Sequence, residues 1–298
     1  MISFYRVFFA LLCYNFLMDT AILQFFQTIR CDFLTVFFGF FSFLGDGALF
    51  VAAVAAVYWF VDKRTGEQLV LTMLSSVSLN SALKTAVGRL RPYAAGDVSL
   101  LRVDTFLFST ADLADAASFP SGHAQSSSTF ACAVSCRARR TWVWVVSVLF
   151  VLLVMCSRLY FGVHYPSDVL AGFALGVICA ALWELVYRKA YGARYYILAA
   201  IAAVFLLLIP FIPSHSLILA AGATAGCAVF LPLDHEFIHA QIPRSPRKFF
   251  RLLVGGILLG GLYALSRLLP ADYDLLAYFV LTGAATAGCQ ALFRLFRI

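Results

Sequence analysis

A series of apolar stretches, separated by short charged or glycine- and proline-containing breaks, constrains the fold of this chain more than any other feature. A helix needs about 20 predominantly apolar residues to cross a bilayer. The start of the first predicted helix stays open, because Phe33–Phe43 precedes it across a break at Gly45-Asp46-Gly47, and residues 2–18 form a candidate tenth span. The breaks predict nine spans, near 45–61, 67–88, 122–136, 141–157, 167–187, 195–212, 216–233, 252–268 and 274–293.

Composition supports lipid as the surrounding solvent. Hydrophobic residues make up 62% of the 298 and charged residues only 12%, whereas about a quarter of an ordinary soluble domain is charged. This excludes a soluble enzyme, a disordered regulator and a nucleic-acid binder. The eight cysteines lie mostly within apolar runs without a CxxC pair, which is typical of buried thiols and not of disulfides or a metal site. The predicted fold is an all-α polytopic transmembrane helical bundle.

Basic residues gather at every second junction between the predicted helices, and these junctions hold 14 of the 22 Lys and Arg. The positive-inside rule makes that side cytoplasmic and explains the net charge of +7 without a nucleic-acid partner. The remaining junctions then face outward. The basic residues concerned are Lys63, Arg64, Arg137, Arg139, Arg140, Arg188, Lys189, Arg194, Arg244, Arg247, Lys248, Arg251, Arg294 and Arg297. The outward junctions are 89–121, 158–166, 213–215 and 269–273.

Three polar clusters lie at the outward ends of these helices. In the first, Lys84 and Arg91 are seven residues apart, which on a helix places both on one face about 10 Å apart along the axis, before Pro92 ends the helix. In the second, Pro120-Ser121-Gly122-His123 opens a span. Free backbone N–H groups in the first turn of a helix form an anion site.

The third cluster joins Ser157-Arg158 to His164 and Asp168. Pro166 suits the first turn of the following span, so His164 is predicted just outside it, with Asp168 beneath its ring. A carboxylate bonded to one ring nitrogen fixes the tautomer and leaves the other nitrogen free to attack. Together the clusters indicate a phosphate site that needs no metal.

With these residues the chain resembles the type 2 phosphatidic acid phosphatase (PAP2) superfamily. That superfamily includes undecaprenyl-pyrophosphate and phosphatidylglycerophosphate phosphatases, glucose-6-phosphatases and vanadium haloperoxidases. The resemblance covers roughly residues 30–190. It implies an N-terminal apolar or interfacial segment at 1–32, a catalytic membrane core at 33–190, and a transmembrane extension at 191–298. The matching residues are Lys84, Arg91, Pro92, Pro120, Ser121, Gly122, His123, Ser157, Arg158, His164 and Asp168.

The resemblance also implies a mechanism. His164 attacks phosphorus to give a phosphohistidine while Asp168 orients it, and His123 protonates the leaving group and then activates water. Lys84, Arg91, Arg158 and the backbone at Ser121 and Gly122 hold the phosphate oxygens. The expected protein is a metal-independent and cofactor-independent hydrolase of a lipid phosphate or pyrophosphate, of the phosphatidate, phosphatidylglycerophosphate or undecaprenyl-pyrophosphate type. The expected location is a bacterial plasma membrane, with the site facing the extracytoplasmic side.

Three alternatives stay open from the sequence. A nine-span layout resembles the glucose-6-phosphatase branch, which suggests a sugar-phosphate substrate. A vanadate-dependent peroxidase is disfavoured because those relatives are usually soluble. A catalytically silent lipid-binding scaffold is disfavoured by the complete set of catalytic residue types.

Other patterns are given structural interpretations. His235-Glu236-Phe237-Ile238-His239 matches the HExxH zinc signature, but no third ligand is apparent, so we favour a solvated segment. Gly256 and Gly260 form a GxxxG pattern, and we favour packing within the bundle over a homodimer. We interpret Asp46 as a helix cap. The outward loop at 93–119 is longer than a usual connection, which favours a gating role.

Overall fold

The structure, a computed structural model, describes residues 18–103, 117–239, 241–242 and 246–296. Within these ranges all regular secondary structure is helical, apart from one isolated β-bridge between Leu90 and Ala117. Residues 2–17 of the candidate tenth span at 2–18 lie outside the described residues, and so does the centre of the outward loop, at 104–116. The all-α prediction is confirmed.

The helices follow the predicted breaks closely. In chain order they are α1 (18–28), α2 (Asp32–Leu44), α3 (Gly47–Ala56), α4 (Lys63–Val87), α5 (Pro92–Ala95), α6 (Gly122–Ala138), α7 (Thr141–Tyr160), α8 (Pro166–Lys189), α9 (Arg194–Leu208), α10 (His215–Leu233), α11 (Phe249–Ser266), α12 (Asp274–Gly283) and α13 (Cys289–Leu295). Turns of π-helix follow α3 and α10 and join α12 to α13, at Val57–Val61, Asp234–Ile238 and Ala284–Gly288.

Six helical segments of the described chain are long and apolar enough to cross a membrane. A seventh forms if α2 and α3, which meet at an angle of 49°, count as one bent span. The predicted spans at 67–88 and 122–136 correspond to α4 and α6, which are helical but are not among these apolar segments. The count of nine spans therefore stays a prediction. The six segments are Thr141–Tyr160, Pro166–Lys189, Tyr191–Leu208, His215–Ile238, Phe249–Ser266 and Ala271–Leu295.

Helices α4 and α6 carry many polar side chains, which lie inside the bundle and form hydrogen bonds between the two helices. α4 contacts α6, α8, α9 and α10. The Gln125 side-chain amide donates to the Ser76 carbonyl at 2.8 Å, and Asn80 Nδ2 donates to Gln125 Oε1 at 2.8 Å. Ser76 Oγ lies 2.8 Å from Thr129 Oγ1. These bonds satisfy polar side chains that lipid cannot solvate, and they fix the register of the two helices.

Glycines allow the closest helix contacts. A Cβ added at Gly172 of α8 would lie 2.5 Å from the Ser121 carbonyl oxygen, and one at Gly226 of α10 would lie 2.5 Å from the Phe279 carbonyl oxygen. In α11 it is Gly255 that packs, against the Trp59 ring, whereas a Cβ at Gly256 or Gly260 would meet no described residue within 4 Å. Among the described residues, the expectation that Gly256 and Gly260 pack within the bundle is therefore wrong, because α11 turns the face of Gly255 toward the other helices.

The basic residues near the start of α4 and the end of α6 pair with acidic side chains at one end of the bundle. Lys63 Nζ is 2.8 Å from Asp234 Oδ2, and Arg137 Nη2 is 3.7 Å from Asp62 Oδ2. Lys84 is near the other end of α4, about 30 Å away at 1.5 Å per residue. Asp46 caps α3 as predicted, because its Oδ1 accepts from the Ala48 N–H at 2.8 Å.

Candidate active site

Lys84 and Arg91 do not share one helix, which corrects the sequence prediction. α4 ends at Val87, and Gly88 follows in the left-handed conformation with φ 60°, which glycine adopts without strain. Arg91 is the N-cap of α5, so Pro92 begins a helix instead of ending one. Both cations nevertheless lie within electrostatic range of His164 and His123.

The two arginines of the cluster are deeply buried. Arg91 is 5% exposed and Arg158 is 2% exposed. Arg91 Nη1 donates to the Val163 carbonyl at 3.2 Å, directly before His164. Arg158 Nη1 donates to Ser42 Oγ, at the end of α2. Separate elements therefore bring these two guanidinium groups within electrostatic range of each other. Lys84 is half-buried.

The start of α6 is as predicted, with Ser121 at the N-cap and Gly122 as the first helical residue. The Ser121 N–H donates to the Asp168 carbonyl at 3.0 Å, which ties α6 to α8. That amide is thus occupied, contrary to its predicted role toward phosphate. The Ser121 hydroxyl is buried and bonds to no described residue, so it is the group that Ser121 offers to a ligand.

The start of α8 places His164 beside Asp168. Pro166 is the first residue of α8, and Asp168 Oδ2 accepts the Tyr165 N–H at 2.8 Å. Oδ2 is 3.8 Å from His164 Nδ1, which confirms the predicted neighbourhood but is too long for a hydrogen bond. Ser118 Oγ lies closer, 3.3 Å from Nδ1 and 2.5 Å from Oδ2. Sequence reasoning missed Ser118, which stands two residues before the Pro120 motif.

Sequence reasoning also missed Arg89 and Asp19. Arg89 Nη1 donates to Asp168 Oδ1 at 2.9 Å, and Nη2 donates to Asp19 Oδ2 at 3.0 Å. Asp19, in α1, also accepts the Ser167 N–H at 3.0 Å. The Arg89 guanidinium lies 3.8 Å from the centre of the Tyr165 ring. The position of Arg89 between Lys84 and Arg91, two predicted phosphate ligands, was the sequence signal that could have indicated its place at the site.

Burial and nearby cations control the protonation of His164, which lies in the loop between α7 and α8. Burial is the main cause that lowers its pKa well below the usual range, and the charges of Arg91, Arg158 and Lys84 lower it further. The Ser118 carbonyl acts in the opposite direction. The imidazole is therefore neutral near pH 7 and keeps a lone pair for attack.

His123 is half-buried in the first turn of α6 and faces the same group of charges. Arg158, His164, Lys84 and Arg91 all lie within electrostatic range of its ring. The structure thus brings together the residues of all three predicted clusters. Such a set can bind a phosphate, supply a neutral nucleophile and transfer a proton.

The HExxH segment has a different geometry. His235 Nδ1 lies 3.1 Å from Glu236 Oε1, the helix there is a π-turn, and His239 has a left-handed φ of 50°. The two histidines therefore do not share a regular α-helical face. Within the described part of the chain, no group of three His, Cys, Asp or Glu side chains could hold a metal ion.

Known proteins resemble this chain over the region that carries these clusters. The sequence profile of the PAP2 superfamily matches residues 66–192. Lipid A 4'-phosphatase of Bacteroides thetaiotaomicron is 28% identical over 180 residues, covering 57% of this chain and 77% of that protein. Putative undecaprenyl-diphosphatase YbjG of Escherichia coli is 33% identical over 147 residues, covering 47% of this chain and 70% of that protein.

A solved structure also resembles the chain. It is the first transmembrane PAP2 type phosphatidylglycerolphosphate phosphatase from Bacillus subtilis, which has a TM-score of 0.47 and 23% identity. The match covers 63% of this chain and 96% of that one.

Proposed function

Because the chain belongs to the PAP2 superfamily, we propose that it removes a phosphate from a lipid headgroup through a phosphohistidine at His164, on the outer face of the membrane. The chain is an integral membrane hydrolase of lipid phosphates or pyrophosphates. The proposal adds the residue roles, the intermediate and the side of the membrane.

The observation that carries the proposal is the convergence of three cations on the imidazole of His164. Arg91, Arg158 and Lys84 all act electrostatically on His164. A phosphomonoester brings negatively charged oxygens, which cations stabilise most strongly where charge grows in the transition state. Without a ligand these positive charges repel one another, so the pocket favours an anion.

In the first step, the lone pair of His164 Nε2 attacks phosphorus. The bond from phosphorus to the leaving oxygen breaks with its electron pair, and His123 donates a proton to that oxygen. The dephosphorylated lipid leaves, and the phosphoryl group stays on His164. The Ser121 hydroxyl and the cations hold the remaining phosphoryl oxygens.

In the second step, water attacks the phosphohistidine. His123, now neutral, takes a proton from the water as its oxygen bonds to phosphorus. The P–N bond breaks, its electron pair returns to His164 Nε2, and inorganic phosphate is released. The negative charge of the bound phosphate offsets the charges of Arg91, Arg158 and Lys84, so His123 can hold a proton when the substrate is bound. His123 therefore ends the cycle protonated, as it was in the complex with substrate.

The intermediate can be trapped directly. Brief mixing with a 32P-labelled substrate, followed by denaturation in alkali, should leave acid-labile label on the wild-type chain but none on His164→Ala. Label on His164→Ala equal to that on the wild type would exclude His164 as the nucleophile.

A substrate panel tests the lipid assignment. Phosphatidate, phosphatidylglycerophosphate, undecaprenyl pyrophosphate and lipid A represent the lipids, with glucose 6-phosphate as the soluble comparator. We expect at least one lipid to have a higher kcat/KM than glucose 6-phosphate. The opposite ranking against every lipid would support the sugar-phosphate alternative.

Cysteine labelling tests the side of the membrane. In a cysteine-free background, an impermeant thiol reagent on intact cells should label Ala95→Cys, near the site, but not Arg140→Cys, at the basic end. Both positions are exposed. The reverse pattern would place the site at the cytoplasmic leaflet while leaving the chemistry unchanged.

A further inference from the structure

Both oxygens of the Asp168 carboxylate accept hydrogen bonds from groups other than His164. Oδ1 accepts from Arg89 at 2.9 Å. Oδ2 accepts the Tyr165 N–H at 2.8 Å and the Ser118 hydroxyl at 2.5 Å. A carboxylate oxygen has two lone pairs in its plane, and both lone pairs of Oδ2 are occupied. The imidazole of His164, 3.8 Å away, therefore has no direct hydrogen bond to this oxygen.

Ser118 fills the gap between the two groups. Its Oγ is 3.3 Å from His164 Nδ1. Since the hydroxyl donates to Asp168, its oxygen has a lone pair that can accept a proton carried on Nδ1. With the proton held on Nδ1, the lone pair of the imidazole lies on Nε2, the atom that attacks.

Ser118 is itself rigidly held. Its side chain is fully buried, and its N–H donates to the Arg89 carbonyl at 2.6 Å. The adjacent β-bridge between Leu90 and Ala117 pairs the same two segments. Arg89 thus holds both residues that form the Ser118–Asp168 hydrogen bond. Its backbone carbonyl binds Ser118, and its guanidinium binds Asp168. A hydroxyl fixed in this way can orient a ring without the cost of ordering itself.

We propose that Ser118 is a positioning residue that carries the orienting effect of Asp168 to His164 through its hydroxyl. This inference rests on the proposed nucleophilic role of His164. Ser118 acts through His164 and does not hold the phosphate, so its loss slows the chemical step and leaves substrate binding intact.

The first experiment compares Ser118→Ala with Ser118→Thr in detergent micelles. Ser118→Ala should lower kcat about 10- to 100-fold, as expected for losing a hydrogen bond within a charged network, with KM unchanged. Ser118→Thr retains a hydroxyl and should recover most of the loss. A wild-type kcat for Ser118→Ala, or a raised KM with unchanged kcat, would overturn the proposal.

Ser127→Ala is the matched control. Ser127 is also fully buried, lies on the neighbouring helix α6, and its hydroxyl bonds to no described residue. It should keep the wild-type kcat, so an equal loss in both variants would attribute the effect to repacking and reject the relay. Thermal melting monitors folding. If Ser118→Ala does not fold, Ser118→Cys replaces it, because a thiol has similar volume but is a weak hydrogen-bonding group.

A double-mutant cycle tests whether Ser118 acts through Asp168. If it does, adding Ser118→Ala to Asp168→Asn should cost far less than Ser118→Ala costs alone. Fully additive losses would exclude the relay. His164→Ala separates this proposal from the one on which it rests. Loss of the phosphoenzyme in His164→Ala with wild-type turnover in Ser118→Ala rejects only the relay, whereas a fully active His164→Ala rejects both.

Discussion

Two histidine-containing regions lie at opposite ends of α4 and differ in how they are built. At one end, His164 is 2% exposed and receives contacts from segments far apart in sequence. At the other end, the HExxH segment lies next to Asp234, which binds Lys63. There the side chains of His235 and Glu236 are 48% and 66% exposed and contact each other.

The difference shows why a short sequence motif is weaker evidence for a catalytic site than side chains from distant segments that meet at one place. HExxH needs only three fixed positions in five residues, and such matches arise by chance. The site around His164 needs separate helices to end at one place. Burial then strengthens every charge interaction there, whereas water weakens the contacts of an exposed pair.

The largest expected effect separates the two ends directly. His164→Ala should lower kcat by about four orders of magnitude or more, because it removes the nucleophile. The measurement is phosphate release in detergent, with circular dichroism to show that the helices persist. Retained turnover in His164→Ala would contradict the assignment of catalysis to the His164 end of α4.

The second effect concerns His123, and it depends on the leaving group. His123→Ala should slow hydrolysis of an alkyl phosphate about 10²- to 10⁴-fold, the usual range for general acid catalysis. A nitrophenyl phosphate needs little protonation to leave, so the first step on that substrate should be affected less. Pre-steady-state release of nitrophenol measures it, and equal losses on both substrates would contradict the general-acid role.

Local signals predicted the helix starts at the site but not its internal bonds. Pro166 and the Ser121-Gly122 pair mark helix starts because capping depends on adjacent residues, and both starts are confirmed. Spacing gave the wrong geometry for Lys84 and Arg91, because Gly88 adopts a positive φ and ends the helix between them.

Sequence reasoning did not reach Ser118, Arg89 or Asp19, because their partners are distant in the chain. Ser118 and Asp168 are 50 positions apart, and Arg89 and Asp19 are 70 positions apart. No periodicity or spacing rule links such pairs. Each of these side chains also has an ordinary explanation when it is considered alone, as a loop residue or an interface cation.

A third, smaller effect tests whether the basic end serves stability and not catalysis. Glu67 is 5% exposed and accepts from Arg194 Nε at 2.5 Å and from Tyr187 Oη at 2.9 Å. Glu67→Gln leaves the buried Arg194 charge uncompensated, which should cost about 3–5 kcal/mol of unfolding free energy. Unfolding in detergent measures it.

The matched control for that experiment is Glu184→Gln. Glu184 pairs with Arg188, whose side chain is 58% exposed, and it also accepts from Gln68 Nε2 at 2.8 Å. The glutamine variant keeps an amide oxygen for Gln68, so the loss should be at most about 1 kcal/mol. Glu67 is about 25 Å from Lys84 along α4. The kcat of folded Glu67→Gln should therefore equal that of the wild type, and a kcat loss as large as that of His123→Ala would show that the two ends are coupled.

The smallest expected effect is that of removing metal, which tests directly whether the HExxH segment takes part in catalysis. EDTA should leave phosphate release unchanged, and so should the double change of His235→Ala with His239→Ala, because protein cations and a neutral imidazole supply the charge and the nucleophile at the other end of α4. Vanadate, whose trigonal-bipyramidal geometry mimics attacked phosphorus, should inhibit the same preparation and so shows that the assay reports on the site. Loss of activity in EDTA that zinc restores in the wild type, but not in the double variant, would transfer catalytic importance to the HExxH end.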